Sequence, residues 1–281
     1  MKLAVSNIAW SPDERLDAYA ILQEAGIAGL EIAPGLLFHA SADPFVPSAD
    51  EARRALEEIA DAELELVSMQ SLLFGMEGAA LFEGKPARRA FEIGMHRAIA
   101  LAGRFGIPNL VFGSPAQRRI PEGMPMERAL DEAASVFRTL GDEAALAGTR
   151  IAIEANPAAY GTNFLTSLAD AESFVRRVNH PNIAAILDIG AMHLNGEYPE
   201  VPARIPALAA LLSHVHVSEA NLAPAPAERT DLAPTFWALR KVGYDKSVSI
   251  EMRRPEGGLD ELERCVERLV DAHTQVEVAD A

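Results

Sequence analysis

Along the chain of 281 residues, short apolar runs with polar residues at alternate positions take turns with longer segments whose apolar residues recur every three to four places. The short runs predict strands over 2–10, 26–34, 63–71, 107–115, 150–157, 182–190, 211–219 and 246–252. The longer ones predict helices. Ser48 or Asp50 caps "EARRALEEIADA" and Ser167 caps "LADAESFVRRV", each with acidic residues in the first turn. Near the end, Leu262, Cys265, Val266, Leu269 and Val270 form one apolar stripe at helical spacing. Eight strands alternating with helices in a chain of this length predict an α/β fold, a (β/α)8 TIM barrel spanning residues 1–281 as one domain. The stretch after His193, "LNGEYPEVPARIPALAALL", has the least regular helical period, and the proline-rich "APAPAERTDLAP" reads as a loop on the active face.

The faces of the last four strands differ from an ordinary core pattern. Side chains two apart on a strand share a face, so Ile151 and Ile153 oppose Ala152, Glu154 and Asn156, and Leu187 and Ile189 oppose Ile186 and Asp188. Val215 and Val217 oppose His214 and His216, and Val248, Ile250 and Met252 oppose Ser247, Ser249 and Glu251. The apolar set packs under the helices, so the polar set points into the barrel. Glu154, Asp188, His216 and Glu251 thus stand at the C-terminal ends of successive strands, the end that carries active sites in this fold. Each residue alone reads as a loop charge or a core histidine. Together they place three carboxylates and an imidazole at one mouth, an arrangement that costs several kcal/mol per uncompensated ion unless a cation sits among them. The mixed oxygen and nitrogen set suits one divalent ion: Mn²⁺, Mg²⁺, Co²⁺ or Zn²⁺. His214, one layer deeper, is expected behind the ligands, orienting a neighbouring carboxylate.

Charge narrows the partners. Lys and Arg number 25 against 41 Asp and Glu, a net of −16, which opposes association with nucleic acid or an anionic membrane. The one cysteine, Cys265, excludes an internal disulfide framework. "MKLAVSNIAW" is too short and too polar for a signal peptide, and no apolar run has the length of a membrane span, so the expected location is the cytoplasm. Assembly into a homo-oligomer stays open.

The segments "IEANP", "LDIGAMH", "HVHVSEAN" and "SIEM", which carry the four residues at separations of 34, 28 and 35, resemble the metal quartet of the sugar phosphate isomerase/epimerase superfamily. That group has a xylose isomerase-like barrel and includes ketose 3-epimerases, inosose dehydratases and endonuclease IV. The resemblance implies that Glu154 and Glu251 both bind the metal and move a proton on opposite sides of a substrate carbon, through an enediolate. It implies a sugar, sugar phosphate or sugar acid as substrate. The epimerases carry a histidine, an arginine and a further glutamate where this chain has Ala191, Leu222 and Tyr160, with His193 two places beyond the first. The extra metal-binding histidines of endonuclease IV are missing from "SMQSLL" and "FGSPAQ". A dehydratase working on the same site, and a barrel that binds sugar or metal without turnover, stay open beside the isomerase or epimerase reading.

Further candidates surround the mouth. His193, Asn156, Gln70, Arg253, Glu31 and Trp10 are expected to contact substrate, with Phe38 and Phe74 as an apolar wall. Arg118, Arg119, Arg229 and Arg254 are candidate clamps for an anionic group, weighed against ordinary surface charge. The glycine-rich "FGMEGAALFEGKP" is expected to be a lid.

Overall fold

The computed structural model describes residues 1–228 and 230–278. Eight parallel strands close a barrel in sequence order: β1 Lys2–Ser6, β2 Gly29–Ile32, β3 Glu65–Met69, β4 Leu110–Phe112, β5 Ile151–Ile153, β6 Ile183–Asp188, β7 Leu212–Ser218 and β8 Ser247–Glu251. Ten helices run α1 Arg15–Glu24, α2 Pro34–Leu37, α3 Ala49–Asp61, α4 Lys85–Phe105, α5 Met126–Leu146, α6 Leu168–Val178, α7 Ile189–Asn195, α8 Val201–Leu208, α9 Ala233–Lys241 and α10 Gly258–Val278. Every expected strand is present and shorter than its apolar run. The remainder becomes loop on either side, as where Asp188 ends β6 by capping α7.

Local signals account for the helix ends. Ser48 accepts the Glu51 N–H while Glu51 accepts the Ser48 N–H, and Ser167 and Asp170 repeat the exchange at α6, so orphan amides at both N-termini are satisfied. The irregular stretch after His193 divides into the end of α7 and the short α8, with Pro206 inside the latter. On α10, Leu262, Cys265, Val266 and Leu269 are fully buried, as the stripe predicts.

The apolar alternate residues of the strands join the helices in one large core, while Val111, Ala152 and Ile186 form a separate small cluster. That division is the expected one between helix-facing and barrel-interior side chains. A chain of edge-to-face rings links Phe91, Phe112, Phe137, Phe174, Phe164 and Phe82 at centroid spacings of 5.0 to 5.7 Å. Its last member pins the expected lid: Leu81 and Phe82 are buried, and the Leu81 carbonyl accepts from Arg88. Residues 79–82, the middle of that segment, are therefore packed down, while Phe74 at its start, at the mouth, is 56% exposed. Among the described residues no helix is long and apolar enough to cross a membrane.

Candidate metal centre and active site

Glu154, Asp188, His216 and Glu251 converge at the C-terminal mouth, and one ligand atom from each lies within 4.8 Å of all the others. Each carboxylate is held by its own neighbours. Asp188 Oδ1 accepts the Ala191 N–H at 2.6 Å and the Ser218 hydroxyl at 2.7 Å, which leaves Oδ2 for the centre. Glu154 Oε2 accepts from Asn156 Nδ2 at 2.7 Å, leaving Oε1. Glu251 closes the ring from the end of β8. The three carboxylates are 8% exposed, open to the mouth, whereas His216 is fully enclosed.

The floor below is Glu31. Its carboxylate lies 2.9 Å from His216 Nε2 and accepts the Ser249 hydroxyl at 3.0 Å; His214 Nε2 stands 3.5 Å away, near enough for charge attraction but not hydrogen-bonded. The contact directs Nε2 downward, so Nδ1 of His216 faces upward. Nδ1 is buried without a hydrogen-bond partner, 3.2 Å from Glu251 Oε2, 3.3 Å from Glu154 Oε1 and 3.8 Å from Asp188 Oδ2. An orphaned imidazole nitrogen ringed by carboxylate oxygens, with its other nitrogen on a buried carboxylate, is a donor set that fits a divalent cation.

The charges of the metal-free protein agree with that fit. Burial opposes charge on His216, yet Glu251 and Glu31 beside it, with Asp188 and Glu154, hold its pKa well above the usual imidazole range. Burial likewise opposes charge on Glu31, and the two imidazoles keep it well below the usual carboxylate range. Burial outweighs Glu31 at His214 and lowers its pKa. Glu251 is pushed up to about 7 by burial, against the pull of His216 and with Glu154 and Asp188 adding to the rise. A proton on the His216 and Glu251 side thus partly neutralises the centre, and a cation would displace it.

Above the quartet opens a cavity of about 330 Å³, lined by Gln70, Leu73, Phe74, Val111, Gln117, Glu154 and Glu251 among others. Gln70 lines it while its Nε2 donates to Ser6. Glu31, expected to meet substrate, is instead sealed beneath the ligands, because the imidazoles above it cover its carboxylate. Trp10 is buried in the core edge-on to Tyr19, and Phe38 packs on Phe105; neither forms a wall. Asn156 spends its amide on Glu154, with Oδ1 left unpartnered. His193 is exposed and stacks on Tyr198 at 4.0 Å, away from the quartet's contacts. Arg253 is exposed, and its backbone N–H donates to Leu222.

The arginines considered as clamps go to different places. Arg254 pairs with Glu14, Arg119 is exposed beside a different cavity, and Arg229 lies outside the described residues. Arg118 is fully buried and serves the backbone: it donates to the Glu154 carbonyl at 2.7 Å and to the Leu165 carbonyl at 3.3 Å. Burial lowers its pKa to about 10, Glu154 acting in the other direction. It therefore ties both ends of the loop between β5 and α6. Reading single residues missed this role, because an arginine after a strand looks like surface charge. Ser218 was legible in principle: two places after His216, it shares its face.

No curated protein is matched in sequence. Among solved structures, a D-psicose 3-epimerase from Clostridium cellulolyticum H10 with D-tagatose superposes with a TM-score of 0.79 at 17% identity, covering 98% of this chain and 99% of that one. The 3-keto-D-glucoside 4-epimerase of E. coli gives 0.74 at 20%, covering 96% and 99%, and a family 2 AP endonuclease from Brucella melitensis gives 0.72 at 21%, covering 96% and 99%. At such identities these likenesses establish the fold and leave the reaction to the site. A family model described as xylose isomerase-like TIM barrel matches residues 19–269, and the chain belongs to that family.

Proposed function

We propose that the protein is a divalent-metal-dependent sugar isomerase or epimerase that moves a proton next to a substrate carbonyl. The observation that carries this reading is the unpartnered Nδ1 of His216 facing Glu154, Asp188 and Glu251 at an open barrel mouth. These four residues would hold the metal, Mn²⁺, Mg²⁺, Co²⁺ or Zn²⁺. A bound ion would supply Lewis-acid stabilisation of the charge that develops on the carbonyl and adjacent hydroxyl.

The chain's own groups supply the rest. Glu154 on the β5 side and Glu251 on the β8 side approach the centre from different parts of the ring, so one takes the proton from carbon and the other returns it. Asn156 fixes the Glu154 carboxylate by its hydrogen bond, and Glu31 fixes the ring of His216. Gln70 and Gln117 offer amides to sugar hydroxyls, and Phe74 and Leu73 offer an apolar surface to the C–H face of a sugar. Sugar epimerases among the structural relatives support the substrate class. Three carboxylates at the mouth, and no further histidine on the ends of β3 or β4, count against a polyanionic nucleic acid.

The test is solvent deuterium incorporation into a panel of ketoses, keto-glycosides, sugar acids and cyclitols, with chelated and metal-restored protein. Incorporation without mass loss of water, abolished by chelator and by Glu154→Gln or Glu251→Gln, is the expected result. Metal-dependent loss of water would make the enzyme a lyase. Metal binding with no exchange into any compound would refute catalysis.

A further inference from the structure

Tyr160 sits on the loop after β5, yet its phenol oxygen accepts the backbone N–H of Asn221, beyond β7, at 3.2 Å. Because β6 lies between β5 and β7, this hydrogen bond joins loops on either side of β6, whose last residue is Asp188, and the Asp188 charge acts on the phenol. Both ends of this span are braced. Arg118 holds the Glu154 and Leu165 carbonyls of the Tyr160 loop, and the Arg253 N–H holds the Leu222 carbonyl next to Asn221. Asn221 and Leu222 adopt φ of 59° and 56°, a left-handed conformation that non-glycine residues keep only where surroundings enforce it.

We propose that Tyr160 is a specificity-determining donor, its hydroxyl proton directed to one oxygen of the sugar held over Asp188. The inference rests on the sugar-converting function proposed above. The phenol oxygen is already an acceptor for Asn221, and among the described residues no protein atom receives its O–H. Burial, with the charges of Asp188, Glu251 and Glu154, raises its pKa, so the group stays neutral and keeps its proton at working pH. A neutral donor beside three carboxylates points its proton toward negative potential, where a substrate oxygen would lie. Phe74, which lines the cavity beside Glu154 and Glu251, has no polar atom to offer a sugar oxygen. An unpaired donor at such a place rejects a substrate lacking the matching oxygen far more strongly than an apolar wall rejects one that has it.

The experiment compares wild type with Tyr160→Phe in the Mn²⁺-loaded enzyme. Deuterium exchange is measured on the best sugar of the panel and on its monodeoxy analogues, alongside Mn²⁺ titration and thermal melting. The expected result is a fall in kcat/KM of about 10–100-fold on the parent sugar, with Mn²⁺ affinity unchanged and the melting midpoint lowered only slightly, as the exposed Asn221 N–H passes to water. One deoxy analogue should cost wild type the same factor and the variant nothing. A variant as active as wild type, or one that still discriminates against every deoxy analogue as wild type does, overturns the inference while leaving the proposed function standing. Absence of exchange in wild type overturns both.

Discussion

Gly113, directly after β4, has no side chain where the Glu154 carboxylate needs room. A Cβ there would lie 2.3 Å from Glu154 Oε2 and 3.3 Å from Asn156 Oδ1, against an ordinary contact starting at 3.4 Å. In Gly113→Ala the carboxylate must retreat by about 1 Å, and its 2.7 Å hydrogen bond from Asn156 is disturbed. Metal ligands tolerate displacements of only about 0.2 Å. Mn²⁺ affinity should therefore fall at least 10–100-fold, about 1.4–2.7 kcal/mol. The obstructing atom ends a flexible side chain, so unfolding free energy should stay within about 1 kcal/mol of wild type. Calorimetric Mn²⁺ titration and melting of the metal-free protein measure the two effects separately. Gly190→Ala is the contrast: its Cβ meets Ser218 Oγ at 2.7 Å and the Glu219 backbone at 2.9 and 3.0 Å. Backbone cannot swing aside, so this variant should lose about 1–3 kcal/mol of stability. A Gly113→Ala protein that binds Mn²⁺ within about threefold of wild type would refute the reasoning, since the ligand would not be where the geometry requires it.

Other predictions test the floor, the loop and the protons. Glu31→Gln removes the charge that orients His216 and should weaken Mn²⁺ binding about 10–100-fold; unchanged binding would mean that the ring is held by packing alone. Arg118→Leu leaves the Glu154 and Leu165 carbonyls unpaired in a buried site and should lower unfolding free energy by about 2–4 kcal/mol, read from denaturant melts. Glu251, raised to about 7 in the metal-free protein from 4.5 when unexposed to these neighbours, binds its proton more tightly folded than unfolded. Its stabilising contribution is full below pH 4.5 and lost as pH rises to about 7, so the metal-free melting midpoint should decline over that window. The decline should vanish in Glu251→Gln; its persistence there would assign the titration elsewhere.

The alternation of polar and apolar residues was enough to identify the barrel and the ring of four side chains, because a strand's two-residue period fixes which residues face inward whatever they touch. Asp188 and Glu251 were visible in this way, as was the capping serine of α6. What lies beside an inward residue is another matter, for it depends on how strands far apart in sequence stack in layers. Glu31 and Trp10 looked alike as strand-end candidates, yet closure of the barrel put one beneath His216 and the other against Tyr19. Arg118 and Arg254 are both arginines in loops, and only tertiary packing sent one inward to hold carbonyls of another loop and the other outward to Glu14. Residue type and period determine direction locally, whereas partners are decided by the closed sheet, which brings positions such as 31 and 216, or 160 and 221, within a hydrogen bond of each other.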